Sequence, residues 1–145
     1  IKFTMLNVSK NKIVNFNLEN ATSFTGESGM YILYSIVRMK SILKNNNIKL
    51  SDKIKFNNEI ENRIIKELSL FPEQINEILE SNEPTHLTKY IFNLTQLFSK
   101  FYEEVNISNE EDIVLKSSRI RLLKCLIDVL TKSLKILGIE TIDKI

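Results

Sequence analysis

Cysteine is nearly absent from this 145-residue chain; the one present is Cys125. One thiol closes no internal disulfide and builds no multi-cysteine zinc site, and its place in an aliphatic helix reads as a small buried residue. Histidine is as scarce. His86 stands alone, with no second His or Cys to share a metal ion, and reads as a polar residue in a first helical turn. Three glycines and two prolines leave no Gly/Ser linker, and no internal repeat is present. No uncharged apolar run approaches the ~18 residues that a bilayer span needs, and no basic-then-apolar segment opens the chain as a signal would. A soluble, cytoplasmic protein with no membrane partner is expected. The first residue is Ile, as expected of a fragment or trimmed product.

Material for catalysis is equally short. Glu103-Glu104 and Glu110-Glu111 are adjacent in sequence, so they do not converge on one site as paired catalytic carboxylates must. The turn Gly26-x-x-Gly29 is too short, and lacks the Lys-Ser/Thr, for a phosphate-binding loop.

What remains is a well-ordered, helix-compatible composition, 43% hydrophobic and 26% charged, long enough for one core. The net charge of +2 is too small to act as a general attractant for nucleic acid, so any basic footprint must be local. The fold class expected is all-α, a bundle of about five helices behind a short irregular or extended N-terminal segment.

Residues 1–26 alternate weakly and carry no clear period. A first helix runs from Ser28, its N-cap, to about Asn46, where three asparagines favour a turn. Residues 48–56 read as a loop with alternating apolar positions. A second helix spans about 57–70 with Ile60, Ile64, Ile65 and Leu68 inward, and Pro72 opens a third to about 81 with Ile75, Ile78 and Leu79 inward. The fourth, about 84–105, places Leu87, Tyr90, Ile91, Leu94, Leu97, Phe98, Phe101, Tyr102 and Val105 within an arc of about 140° and reads as the spine. The fifth, about 111–137, is capped by the acidic Asn109–Asp112 loop and ended by Gly138. Opposite its leucines, Arg121, Lys124, Lys132 and Lys135 lie within roughly 80°, with Asp128 among them. That stripe is read first as a solvated face and second as a contact for RNA phosphates.

The most informative stretch is Gly26-Glu-Ser-Gly-Met-Tyr-Ile-Leu-Tyr-Ser-Ile-Val-Arg38. Tyr31, Tyr34 and Arg38 fall within roughly 60° of one another on the first helix, while Met30, Leu33, Ile36 and Val37 point elsewhere. Rings stack on unpaired bases, and guanidinium pairs with phosphate or base edges. On the residues alone, an amphipathic helix whose tyrosines fill gaps against a neighbour is the simpler reading.

The same stretch resembles the Gly-x-x-Gly-Pro-Tyr-x-x-Tyr…Arg signature that opens the anticodon-binding domain of arginyl-tRNA synthetases. Glu83-Pro84, Leu87, Tyr90, Leu94, Phe98 and Tyr102 are similar to that family's Glu-Pro…Tyr-x-x-x-Leu…Phe-x-x-x-Tyr helix. Arg121-Leu122 followed by Leu137-Gly138-Ile139-Glu140 resembles its closing segment. The matches keep the family's order from residue 24 to 145. Two positions depart from it: Met30 stands where proline is usual, and Ile145 where a methionine commonly reaches the anticodon.

The resemblance implies one anticodon-binding domain over residues 1–145, with 1–26 as the junction to a catalytic domain of the same polypeptide and 27–145 as the bundle. It implies contacts to the anticodon stem-loop of arginine-accepting tRNA through Tyr31, Tyr34 and Arg38, with Arg121, Lys124 and Ile145 as further contacts, in a monomer. The full-length parent would join arginine to tRNA using ATP, with magnesium. Neither a His-x-Gly-His nor a Lys-Met-Ser-Lys-Ser element occurs here, so no cofactor and no active site are expected in this chain itself. A tRNA-binding adaptor of the same domain type and a helical protein-interaction module are the alternatives.

Overall fold

The computed structural model describes residues 1–9, 11–13 and 16–142. Among the described residues seven helices follow in order: α1 (Lys2–Leu6), α2 (Leu18–Thr22), α3 (Gly29–Asn45), α4 (Glu59–Ser69), α5 (Phe71–Ser81), α6 (Thr85–Glu104) and α7 (Ile113–Ile136). No strand occurs among the described residues. The five long helices are the five expected. The leading segment is irregular rather than extended, and two single-turn helices punctuate it.

Side-chain caps set the boundaries. The Ser28 hydroxyl accepts from the Tyr31 N–H at 3.0 Å and so begins α3. Asn46 ends it, its Nδ2 donating to the Ile42 carbonyl at 2.9 Å. Asp112 Oδ1 accepts from the Val114 and Leu115 N–H groups at 2.9 and 3.1 Å, satisfying donors that the first turn of α7 leaves open. At the other end of α7, Gly138 takes φ +67°. The Ile139 N–H then returns to the Leu134 carbonyl at 2.8 Å and the Gly138 N–H to Lys135 at 2.9 Å, the paired closure that a left-handed residue permits.

The spine is α6. Leu87, Tyr90, Ile91, Leu94, Leu97, Phe98 and Phe101 are buried on it, and it touches α1, α3, α4, α5 and α7. Burial of each such large side chain contributes on the order of 1.5–3 kcal/mol. From α7 come Leu115, Ile120, Leu122, Leu123, Leu126, Leu130 and Leu134, and from α3 Ile32, Ile36 and Met39. The α3 stripe is therefore centred on Ile32 and Ile36, with the small Ser35 also buried, rather than on Met30, Leu33 and Val37.

Three further expectations are corrected. Ile65 is 38% and Leu79 71% exposed, because each lies on an edge of its helix turned away from the helices that cover it. Cys125 is exposed. It lies beside Arg121 and Asp128 around α7, on the polar side, about 40° and 60° from them.

Between the bundle helices sits a buried ionic cluster. Glu61, wholly buried, accepts from the Asn57 and Asn58 N–H groups through Oε2, both at 2.9 Å, and from Arg119 Nε through Oε1 at 2.5 Å. Arg119 also donates to Glu110 at 2.6 Å and to Asn57 Oδ1 at 3.0 Å. The N-terminus of α4, the loop before α7 and α7 itself are thereby locked in one arrangement. The segment 48–56, a strap without secondary structure, is fastened beside them by serines. The Ser117 hydroxyl accepts from the Ser51 N–H at 2.8 Å, and that of Ser118 from Lys55 at 2.9 Å.

At the N-terminal end, α1 presses Phe3 against the start of α3. A Cβ on Gly29 would stand 3.1 Å from the Phe3 Cβ, so glycine there allows the close approach. Lys2 Nζ donates to the Gly138 carbonyl at 2.6 Å, and Thr88 to Asn7 at 2.7 Å.

Candidate nucleic-acid interface

Helices α3 and α6 run in the same sense: Tyr31 meets Phe92 and Ser99, Arg38 meets Tyr102, and Asn46 meets Ser108 further along. Facing α6 is one flank of α3, and at 100° per residue that flank carries Tyr31 and Arg38, with Tyr34 further outward.

The three residues have different fates. Tyr34 is 39% exposed, its ring edge-on to Phe24 at 5.9 Å between centroids. Arg38 is exposed, with its guanidinium carbon 3.8 Å from the centroid of the Tyr102 ring and 5.7 Å from that of Tyr34. Tyr31 instead turns toward the spine. Its hydroxyl shares a 2.6 Å hydrogen bond with that of Ser99, and its ring meets Phe92 edge-on. Phe24, Tyr34, Arg38 and Tyr102 thus form one continuous platform, held together by contacts each worth about 0.5–1.5 kcal/mol.

Tyr102 is the member that periodicity hides. Its spacing from Phe98 makes it look like core, yet it is 40% exposed, because the bundle opens as α6 ends. Phe24, 50% exposed, precedes the helix altogether. The turn that brings it back uses Gly26 at φ +73°, a conformation that suits glycine.

The basic stripe of α7 is divided. Arg121 donates through Nη2 to the Ser51 carbonyl at 2.7 Å, so its guanidinium holds the strap. Lys132 pairs with Asp128 at 2.7 Å. Lys124 and Lys135 are exposed. Ile145 lies outside the described residues. His86 faces Glu77 at 3.1 Å across the α5–α6 junction. Among the described residues no three His, Cys, Asp or Glu side chains converge as metal ligands, and no helix is long and apolar enough to cross a membrane.

Two groups show a resolved displacement of charge equilibrium near α7. Lys55 hydrogen-bonds Asp112 at 2.6 Å, which raises the lysine above its ordinary value. The same bond, with the Leu115 N–H, lowers the Asp112 carboxyl. On the spine, burial pushes the Tyr90 phenol well above its ordinary value, and its hydroxyl donates to the Glu67 carbonyl at 3.0 Å.

A bundle with aromatic rings and a guanidinium assembled on one open helix flank belongs with the all-α domains that present a binding platform. The chain belongs to the DALR anticodon binding domain family, whose pattern matches residues 32–145. Its relatives include the arginine–tRNA ligase of Clostridium botulinum, 35% identical over 146 residues that take in 99% of this chain and 26% of that protein. The arginine–tRNA ligase of Alkaliphilus oremlandii is 36% identical over 133 residues, 89% of this chain and 23% of that one. The chain therefore spans about a quarter of the length of these relatives. The fold is also that of a region of the Thermus thermophilus arginyl-tRNA synthetase, with TM-score 0.92 and 23% identity over 99% of this chain and 26% of that one. The Plasmodium falciparum arginyl-tRNA synthetase gives 0.87 and 25% over the same shares.

Proposed function

We propose that this chain grips the anticodon stem-loop of arginine-accepting tRNA, as the anticodon-binding domain of an arginine–tRNA ligase. The observation that carries the reading is Arg38, stacked at 3.8 Å on Tyr102 beside the exposed ring of Tyr34. Both rings fix the guanidinium before any ligand arrives, so little side-chain entropy is lost on binding. Tyr34 offers a face for an unpaired base, and Arg38 a planar cation for phosphate or a base edge. Tyr31 sets the register of α3 on α6 and presents a ring edge to the same loop. Lys124 lies in reach of the RNA backbone, Arg121 acts through the strap it holds, and Ile145 supplies an apolar contact at the chain's end.

The remaining three quarters of the enzyme would bring the catalytic domain, which uses ATP and magnesium to charge the tRNA. This domain's part is discrimination: by holding the anticodon loop it positions the distant acceptor end for that active site. The chain acts as a monomer in the cytoplasm.

Titration of labelled arginine-accepting tRNA at two salt concentrations tests the reading, beside the same tRNA with an altered anticodon. Loss of one stacked base contact is worth about 1–3 kcal/mol, so Tyr34→Ala should weaken binding about tenfold. Affinity should fall steeply with salt, as phosphate contacts require. Binding indifferent to both the anticodon and Tyr34 would refute it.

A further inference from the structure

The spine helix has a second occupied flank. Phe92 and Ser99 turn toward α3, where both meet Tyr31. Tyr90 points about 160–180° away from them around α6, and its ring stacks on Phe71 of α5 at 6.1 Å between centroids. On that far side α5 and α7 both rest on α6. Between them opens a groove of about 450 Å³, lined by Phe71 and Ile75 from α5 and by Lys132, Lys135 and Ile136 from α7. We propose that this groove docks an acidic amphipathic helix of a second protein. It lies on the opposite flank of the spine from the Tyr34–Arg38 platform, so its occupant does not depend on the tRNA proposal.

One wall is an apolar strip. Phe71, Ile75 and Leu79 recur at every fourth residue, which makes a line about 12 Å long that drifts only about 80° around α5. Phe71 and Ile75 are partly buried, while Leu79 is mostly in water. Across the groove Ile136 is 56% exposed. Aliphatic side chains gathered along a groove between two helices, rather than scattered singly, mark a contact surface. Their spacing suits a helix of two to three turns, received through anchors one turn apart.

Charge selects the occupant. The charged side chains that line the groove, Lys132 and Lys135, are both cationic. The carboxylates of α5, on Glu73, Glu77 and Glu80, lie about 140–160° around that helix from Ile75 and face away. Lys135 makes no side-chain hydrogen bond or ion pair among the described residues. Lys132 is held by Asp128 at 2.7 Å in an exposed pair one turn apart, of a kind that a second carboxylate displaces at little cost. A helix with carboxylates along one edge and leucine-like side chains along the next complements both walls. RNA matches only the lysines. The Phe71 ring is already stacked on Tyr90, and aliphatic side chains offer a base no flat partner.

The test uses this chain, labelled for amide NMR, and a synthetic acidic peptide of about 15 residues, long enough to form a helix, with leucine at every fourth position and glutamate along one flank. Amide shifts should map to residues 71–79 and 132–136 and spare Tyr34 and Arg38. Leu79→Ser and Ile136→Ser alter exposed side chains, and each should weaken binding about tenfold. The combined Lys132→Glu/Lys135→Glu protein should lose about as much, and should accept the same peptide with its glutamates changed to lysine. Circular dichroism verifies that each variant folds. A peptide that fails to bind the parent, or that binds parent and variants alike, overturns the proposal. Displacement of the bound peptide by arginine-accepting tRNA overturns it in favour of an RNA contact. Loss of peptide binding in the full-length polypeptide overturns it in favour of a segment of the same chain.

Discussion

Arg119→Met should be among the most damaging single substitutions outside the apolar core. In the native chain Glu61 is fully buried and Arg119 nearly so, at 2.5 Å from each other. Removing the guanidinium leaves the Glu61 carboxylate with two backbone N–H donors and no counter-charge. Breaking one side of a buried pair typically costs about 3–5 kcal/mol. Here the upper end is expected, because Glu110 loses its 2.6 Å partner too. Glu61→Gln should cost less, toward about 3 kcal/mol, since Arg119 keeps Glu110 and Asn57. For a domain near this size, a loss of about 4 kcal/mol lowers the melting temperature by about 10–15 °C. The combined Glu61→Leu/Arg119→Met protein removes both charges. It should recover much of the loss, remaining about 2 kcal/mol short because the Asn57 and Asn58 N–H groups lose their Glu61 acceptor and Glu110 stays without Arg119. Urea denaturation of the four proteins at neutral pH measures these differences. An Arg119→Met protein within about 1 kcal/mol of the parent, or a combined protein as unstable as the sum of its parts, would refute the account.

Other expectations follow from the same structure. Asp112 titrates lower in the folded chain than its ordinary 3.8, so its stabilisation is present above that pH and is lost as pH falls through the folded value. Lys55 titrates above 10.5, so its share is present below that pH and is lost as pH rises through the raised value. The melting-temperature gap between the parent and Asp112→Asn, which preserves the cap, should be flat in between and close at both extremes. Leu94→Ala, at a position with no exposure, should cost about 2–5 kcal/mol in denaturant titration. Ser28→Ala removes the α3 cap and should cost about 1 kcal/mol, with earlier loss of amide protection at Tyr31 than at Met39.

Most of the bundle was legible because its signals are local. Ser28, Asp112 and Gly138 mark helix ends by chemistry acting within a few residues, and the 3.6-residue period of α6 is unbroken. What escaped depends on distant neighbours. Glu61 is, in sequence, one of several acidic residues in the opening turn of a helix, and Arg119 a charge in a leucine-rich run. Only the fold brings them together across 58 residues. Periodicity shows which way a residue points around its helix and says nothing of where the covering neighbour stops. So Tyr102 and Leu79 look buried and are not, and Cys125 was placed by its aliphatic company rather than by its angle. At the candidate site, the spacing put Tyr34 and Arg38 on one face of α3, and the family resemblance rather than the spacing marked that face for contact. The platform's second ring, Tyr102, comes from α6 and could be found only in three dimensions.

The serine-held strap has a kinetic consequence. A sheet edge opens like a zipper, each broken rung loosening the next, whereas residues 48–56 are riveted at separate points. Each rivet fails alone. Solvent exchange should therefore find slow amides at Ser51 and Lys55, set among fast neighbours. Replacing Ser117 should release the first and leave the second closed, so that the stretch behaves as a row of independent latches.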